Sequence, residues 1–162
     1  MYLYFVEIQL LCIGKTDQSF WSDALKEYHK RLQHYVKFSI VIIPDIKSAK
    51  KTDPKKIKEE ESKLLFQKIK PTDAVVLLDE KGNSFSSVSF SKELEKKMNT
   101  GKKRLIFVVG GAFGFSEKVY QKFPNRLSLS QMTFSHQMIR LFFCEQLYRA
   151  FTILNNHPYH NN

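Results

Sequence analysis

Five apolar residues, Leu105, Ile106, Phe107, Val108 and Val109, empty without a polar break into Gly110-Gly111-Ala112-Phe113-Gly114. A short, wholly apolar run that ends in a glycine turn reads as a buried parallel strand, covered by helices on both faces. The glycines let its exit loop come close to something. A second short strand over residues 126–129 runs into Ser130-Gln131-Met132-Thr133. Ser135 is placed to cap a long helix over 136–154. Asn155 and Asn156 suit the end of that helix, and Pro158 forbids its continuation. Two strand ends side by side, one opening into a glycine loop and one into a small polar loop, predict a ligand crevice at the C-terminal edge of an α/β sheet.

The rest of the chain supplies the other layers. Strands are predicted at 8–13, closed by Gly14; at 38–43, stopped by Pro44; and at 74–78, with Asp79-Glu80-Lys81-Gly82 as an exit turn. Between them lie a helix over 20–35 capped by Ser19, a helix running to Ile69, and a helix over 89–99 ended by Gly101. In the first of these, Phe20, Ala24, Tyr28 and Leu32 recur at helical spacing and are expected in the core. Such alternation predicts an α/β fold, a mostly parallel sheet flanked by helices, in one domain of 162 residues.

The 136–154 helix does not keep its apolar residues to one stripe. Met138, Ile139, Leu141, Phe142, Phe143, Cys144, Leu147, Phe151, Ile153 and Leu154 point nearly all round. A helix of this kind is buried on all sides. The expectation is that it packs on its own sheet and on a second copy of the chain, with Phe142 or Phe143 partly at the interface. Its polar exceptions are Arg140, Glu145 and Arg149. The last two stand four apart in the order that favours an ion pair, which serves the helix or a site.

A net charge of +10 points to a polyanionic partner, most simply nucleic acid. Lysines at 47, 50, 51, 55, 56 and 58 form a cluster expected to touch RNA. Cys12 and Cys144 have no paired spacing and read as buried small hydrophobes in a reduced compartment. The apolar start, residues 1–13, carries Glu7 and is too short to span a bilayer; a cytoplasmic protein is expected. The glycine turn misses the dinucleotide fingerprint because Val109 stands where a glycine is needed. No phosphate-loop lysine, nucleophile elbow or zinc-binding helix pair is present, and His157 with His160 makes no metal site.

Several segments together resemble one family: Ile8-Gln9-Leu10-Leu11-Cys12-Ile13-Gly14-Lys15-Thr16, Leu78-Asp79, Val109-Gly110-Gly111, Leu129-Ser130, Gln146-Leu147-Tyr148-Arg149-Ala150, and the tail Asn156-His157-Pro158-Tyr159-His160. This is the bacterial ribosomal RNA large subunit methyltransferase H family of the SPOUT superfamily. The resemblance covers nearly the whole chain from Ile8, leaving residues 1–7 outside it. It implies methylation of N3 of a pseudouridine in 23S rRNA with S-adenosylmethionine, by a homodimer with a C-terminal trefoil knot. The implied cofactor contacts are Leu78, Gly110, Leu129, Ser130, Gln131, Met132, Thr133 and Phe134. Ala112, Ser135 and Asn161 depart from the residues common in the family.

Methyl transfer to an imide nitrogen needs alignment and help for a leaving proton. His160 as proton acceptor, Arg140 as electrostatic stabiliser and Tyr159 as an orienting ring are the candidates. His136 reads as a helix-start residue. Two other functions fit the sequence less closely: a non-catalytic ribosome- or RNA-binding factor of the same fold, and a small-molecule nicotinamide enzyme.

Overall fold

The computed structural model describes residues 4–46 and 52–161. Its elements run β1 (Glu7–Ile13), α1 (Ser19–Leu32), β2 (Lys37–Ile43), α2 (Pro54–Lys68), β3 (Ala74–Ser84), α3 (Ser87–Met98), β4 (Arg104–Val109), α4 (Glu117–Lys122), β5 (Arg126–Ser128) and α5 (Met138–Leu154). The five strands form one sheet in the order β2-β1-β4-β3-β5, and every pairing is parallel.

Side chains alternate across a strand, so each central strand feeds two cores. Ile8, Leu10 and Cys12 of β1 and Leu105, Phe107 and Val109 of β4 face α1, α3 and α5. Leu11, Ile13, Ile106 and Val108 face α2 and α4 on the other side. This explains why the 105–109 run has no polar position, and the helix-flanked parallel sheet is as expected.

Several details differ from the expectations. Leu32 is buried as expected and Ala24 and Tyr28 partly so, but Phe20 is 59% exposed, because α1 turns Leu25 inward with Leu32. Ser19 is the first helical residue and Gln18 precedes it as the cap position, without a side-chain bond. β3 does not stop at Leu78. Its pairing with β5 breaks after Leu78↔Leu127 and resumes at Asn83↔Leu127, so the Asp79-Glu80-Lys81-Gly82 turn is a bulge inside a longer strand. Val6 is buried and Glu7 opens β1, so the sheet begins earlier than residue 8. Lys47, Lys50 and Lys51 lie outside the described residues; Lys55 and Lys56 stand exposed at the start of α2.

α5 packs on its own sheet as expected, with a correction at Phe143. That ring is fully buried in its own chain, 4.6 Å from the Phe107 ring. Phe142, 39% exposed, is the one left facing outward. The helix ends at Asn155, and Asn156 takes a left-handed φ of 55°.

Arg140 anchors the start of α5. It is 0% exposed, and its guanidinium donates to Ile13 O (2.8 Å), Gly14 O (2.9 Å), Thr16 Oγ1 (3.2 Å) and His136 O (3.0 Å). A buried cation is tolerable only with its donors satisfied. Here they close the C-terminal end of β1 onto α5. Arg140→Met strands these carbonyls, and stability is expected to fall by on the order of 3–5 kcal/mol. A thermal melt should show a drop of roughly 10 °C; an unchanged midpoint removes Arg140 as the tether.

Candidate active site

A crevice of about 610 Å³ opens where the C-terminal ends of β3 and β4 meet the segment after β5. Leu78 and Gly110 form its floor, Leu129 and Phe134 one wall, and Phe113 and Met132 its exposed rim. That volume lies within the range of small-molecule sites.

The glycine loop is held from beneath. Gly111 O accepts from Gly114 N (3.1 Å), and Gly114 takes φ 74°. A Cβ on Gly110 would stand 3.2 Å from the Phe115 ring, and one on Gly111 would stand 2.5 Å from a Glu61 carboxylate oxygen. Helix α2 therefore supports the loop through Glu61 and through Ser62, whose hydroxyl lies 2.5 Å from that of Ser116. Burial, and next the neighbouring Asp45 carboxylate, push the Glu61 carboxyl up to about 7. Its folded pKa is above the unfolded one, so its contribution is full below about pH 4.5 and is lost as pH rises through 7. Wild type should therefore lose thermal stability across that window relative to Glu61→Gln. Parallel pH profiles for the two proteins would show that Glu61 is not the titrating group.

The opposite wall is also fixed. Ser130 Oγ accepts from Met132 N (2.9 Å), Ser128 Oγ donates to Ser130 O (2.8 Å), and the Thr133 hydroxyl donates to the Glu80 carboxylate. Ser135 Oγ accepts from Met138 N (3.1 Å), so it does cap the helix start, one turn before α5 becomes regular. Of the eight residues expected around a cofactor, Leu78, Gly110, Leu129, Ser130, Met132, Thr133 and Phe134 line the crevice. Gln131 does not; it is exposed on the same segment.

The three candidate catalytic residues lie elsewhere. Arg140 is buried at the β1 end and is not among the lining residues. Tyr159 and His160 pack on the middle of α5. Tyr159 donates to Glu145 Oε1 (3.0 Å), and Arg149 donates to the same oxygen (2.5 Å) and to His160 Nδ1 (3.2 Å). Burial, then bonds with Tyr28 and Glu145, push the Tyr159 phenol well above its usual range. The Glu145–Arg149 pair thus serves the tail as well as the helix.

Tyr120 lines the crevice without any sequence signal, and Asp79 and His136 line it without having been expected to act there. The Tyr120 hydroxyl donates to Asp79 under the crevice, with the Arg126 guanidinium 5.0 Å from the Tyr120 ring centre. His136 also lines the crevice, and burial, then Arg140, lower its pKa and keep it neutral. Among the described residues no cluster of His, Cys, Asp and Glu is arranged to hold a metal ion, and no helix is long and apolar enough to cross a membrane.

Comparison with known proteins gives a consistent answer. A family profile described as predicted SPOUT methyltransferase matches residues 6–160. A protein of Christiangramia forsetii named ribosomal RNA large subunit methyltransferase H is 57% identical over 95% of this chain and 98% of its own. Its namesake in Parabacteroides distasonis is 54% identical over 96% and 99%. Among solved structures, a probable methylase family protein from Haemophilus influenzae shares the fold, with a TM-score of 0.55, 12% identity, and coverage of 98% of this chain and 72% of that one. The chain belongs to the ribosomal RNA large subunit methyltransferase H family, within the SPOUT methyltransferases.

Proposed function

We propose that the protein methylates N3 of a pseudouridine in 23S rRNA, with S-adenosylmethionine bound in the crevice. The observation that carries this is the crevice between Gly110 and the 129–134 segment, in a chain of net charge +10 with these relatives. The residues fit the cofactor. Gly110 presents bare backbone, Leu78, Leu129 and Phe134 give apolar walls, and the loop backbone offers hydrogen-bonding groups to an adenine edge. When bound, S-adenosylmethionine supplies an electrophilic methyl group on a sulfonium.

The protein's part is positioning and charge stabilisation. With the cofactor bound, N3 would take the methyl group once its imide proton has passed to solvent water, and the chain's residues would stabilise the negative charge left on the imide. His160 acts as a hydrogen-bond donor in this proposal. Arginine only donates, so the Arg149 contact takes the Nδ1 lone pair. The neutral ring then carries its proton on Nε2, suited to a pyrimidine carbonyl oxygen where negative charge collects. This donor role stands as an alternative to the proton-acceptor role expected from the sequence. Arg140 acts at a distance, by fixing α5.

Dimerisation belongs to the same proposal, since the tail does not line its own crevice. Phe142 meets Phe134 edge to face at 4.9 Å, so the exposed side of α5 adjoins the crevice wall. A second copy packed there brings its tail to this crevice. Phe142→Asp buries an unpaired carboxylate at that contact, at several kcal/mol, and should sediment as a monomer. Wild type that is itself monomeric at micromolar concentration contradicts the arrangement. The implied trefoil knot is also part of this reading. Its support is the return of the chain from β5, beside β3, to dock α5 on the β1 end through Arg140.

The deciding experiment is methyl incorporation from labelled S-adenosylmethionine into naked 23S rRNA, large subunits and whole ribosomes, with the modified base identified by mass spectrometry. Cofactor binding without transfer to any of the three favours the non-catalytic RNA-binding alternative.

A further inference from the structure

A second concavity, of about 550 Å³, lies at the opposite end of the sheet, where β3 and β4 begin. Ala74 and Leu105 mark that end, while Leu78 and Val109 mark the crevice end. Four residue steps separate the two, about 13 Å along the strands. The floor is apolar, with Leu105, Phe123 and Pro124, and the rim carries Lys70, Lys97, Lys102 and Lys122.

The charge there is only partly cancelled locally. Asp73 is the one acid among the lining residues, and it is engaged by Arg104 through two bonds of 2.9 and 2.5 Å. Lys97 is paired with Glu93 at 3.2 Å. Lys70, Lys102 and Lys122 are exposed; Lys70 shares the Asp73 carboxylate with Arg104, and Lys102 and Lys122 are in no ion pair among the described residues. Helix dipoles account for part of this placement: Lys97 and Lys122 stand in the last turns of α3 and α4, where a cation complements the terminal carbonyls. They do not account for Lys70 and Lys102, which stand in the α2–β3 and α3–β4 connections. Thr100 and Asn125 add neutral donors to the same rim.

We propose that this groove is a second RNA contact, in which Lys70, Lys97, Lys102 and Lys122 hold backbone phosphates of the same rRNA whose base enters the crevice. The inference rests on the RNA-methylating reading above and adds the place where the strand is gripped. A grip of this kind contributes affinity and register without reading sequence. It also leaves the crevice free for the one nucleotide that must be aligned.

The test compares wild type, Lys70→Gln/Lys102→Gln, and the control Lys26→Gln/Lys63→Gln, whose lysines are exposed on α1 and α2 and paired with Asp23 and Glu60. Affinity for transcribed 23S rRNA is measured against salt concentration, and S-adenosylmethionine affinity by calorimetry. Removing two phosphate contacts makes the slope of log affinity against log salt shallower by about 2. Binding at low salt weakens by about tenfold or more, with cofactor affinity unchanged and the control close to wild type. A wild-type slope in the groove variant overturns the proposal, and so does an equal loss in the control. A wild type that binds the cofactor but neither transcribed 23S rRNA nor ribosomes sinks the RNA-methylating reading itself, and the groove with it.

Discussion

Gly110→Val is expected to weaken S-adenosylmethionine binding by at least about a hundredfold, ~2.7 kcal/mol, and to abolish methyl transfer at ordinary cofactor concentrations. The position is crowded against the Phe115 ring and Gly114. Its Cβ alone stands 3.2 Å from two atoms of the Phe115 ring, and Phe115 is 6% exposed in the core. Overpacking against that ring costs about 1–3 kcal/mol of stability, so the fold survives but is weakened. The branched side chain must displace the Phe115 ring, which itself lines the crevice with Leu78 and the glycine loop. Gly110→Ala adds only the Cβ and should give an intermediate loss. Calorimetry on both variants, with melts to show that each is folded, decides the matter. A folded Val variant with wild-type affinity would place the cofactor elsewhere.

His160→Ala is expected to lower turnover by about a hundredfold or more, the scale of a positioned proton-handling or hydrogen-bonding group, while leaving cofactor affinity nearly unchanged. The point substitution is the right test because the tail is more firmly held than its sequence suggests. Residues 157–160 are tied to the body of the chain. His157 Nδ1 lies 2.6 Å from the Tyr35 hydroxyl, His157 N donates to Thr152 O (2.9 Å), and the Tyr159 and Tyr148 rings meet at 4.8 Å. Truncation would disturb all three, whereas His160→Ala loses only the bond from Arg149. The donor role adds a second readout. Arg149→Met frees Nδ1, removes the reason for the Nε2–H tautomer, and should lower turnover more than it changes KM. If His160→Ala turns over normally, the tail is structural and the catalytic donor is elsewhere.

The core was legible because its signals are local and redundant. The 105–109 run has five apolar residues in a row, and only a strand covered on both faces uses all of them. The crevice floor was legible for the same reason, as a glycine turn at that strand's end. What sequence could not show was direction. Phe142 and Phe143 are neighbours of one chemical type, and a helix turns them about 100° apart, yet only the packed sheet decides that Phe143 goes inward. Arg140 shows the same limit. A lone arginine on an apolar helix reads as a catalytic charge, and its true partners are backbone carbonyls more than a hundred residues earlier, which no spacing reveals. The Asp79–Tyr120 and Glu80–Thr133 bonds are long-range pairs of the same kind.

The parallel sheet has a consequence for how the chain reaches this state. Glu7 of β1 pairs with Arg104 of β4, so the middle of the sheet joins segments almost a hundred residues apart. No neighbouring strands can zip together as a hairpin, because every connection is a crossover. Loop closure must be completed before those contacts reward it, which places such topologies among slow folders. During synthesis β1 and β2 emerge first, with the hydrophobic flank of β1 open until β4 has been made. The nascent chain therefore displays an unpaired apolar edge for most of its translation, and its yield should depend on chaperone supply and on growth temperature more than its final stability would suggest.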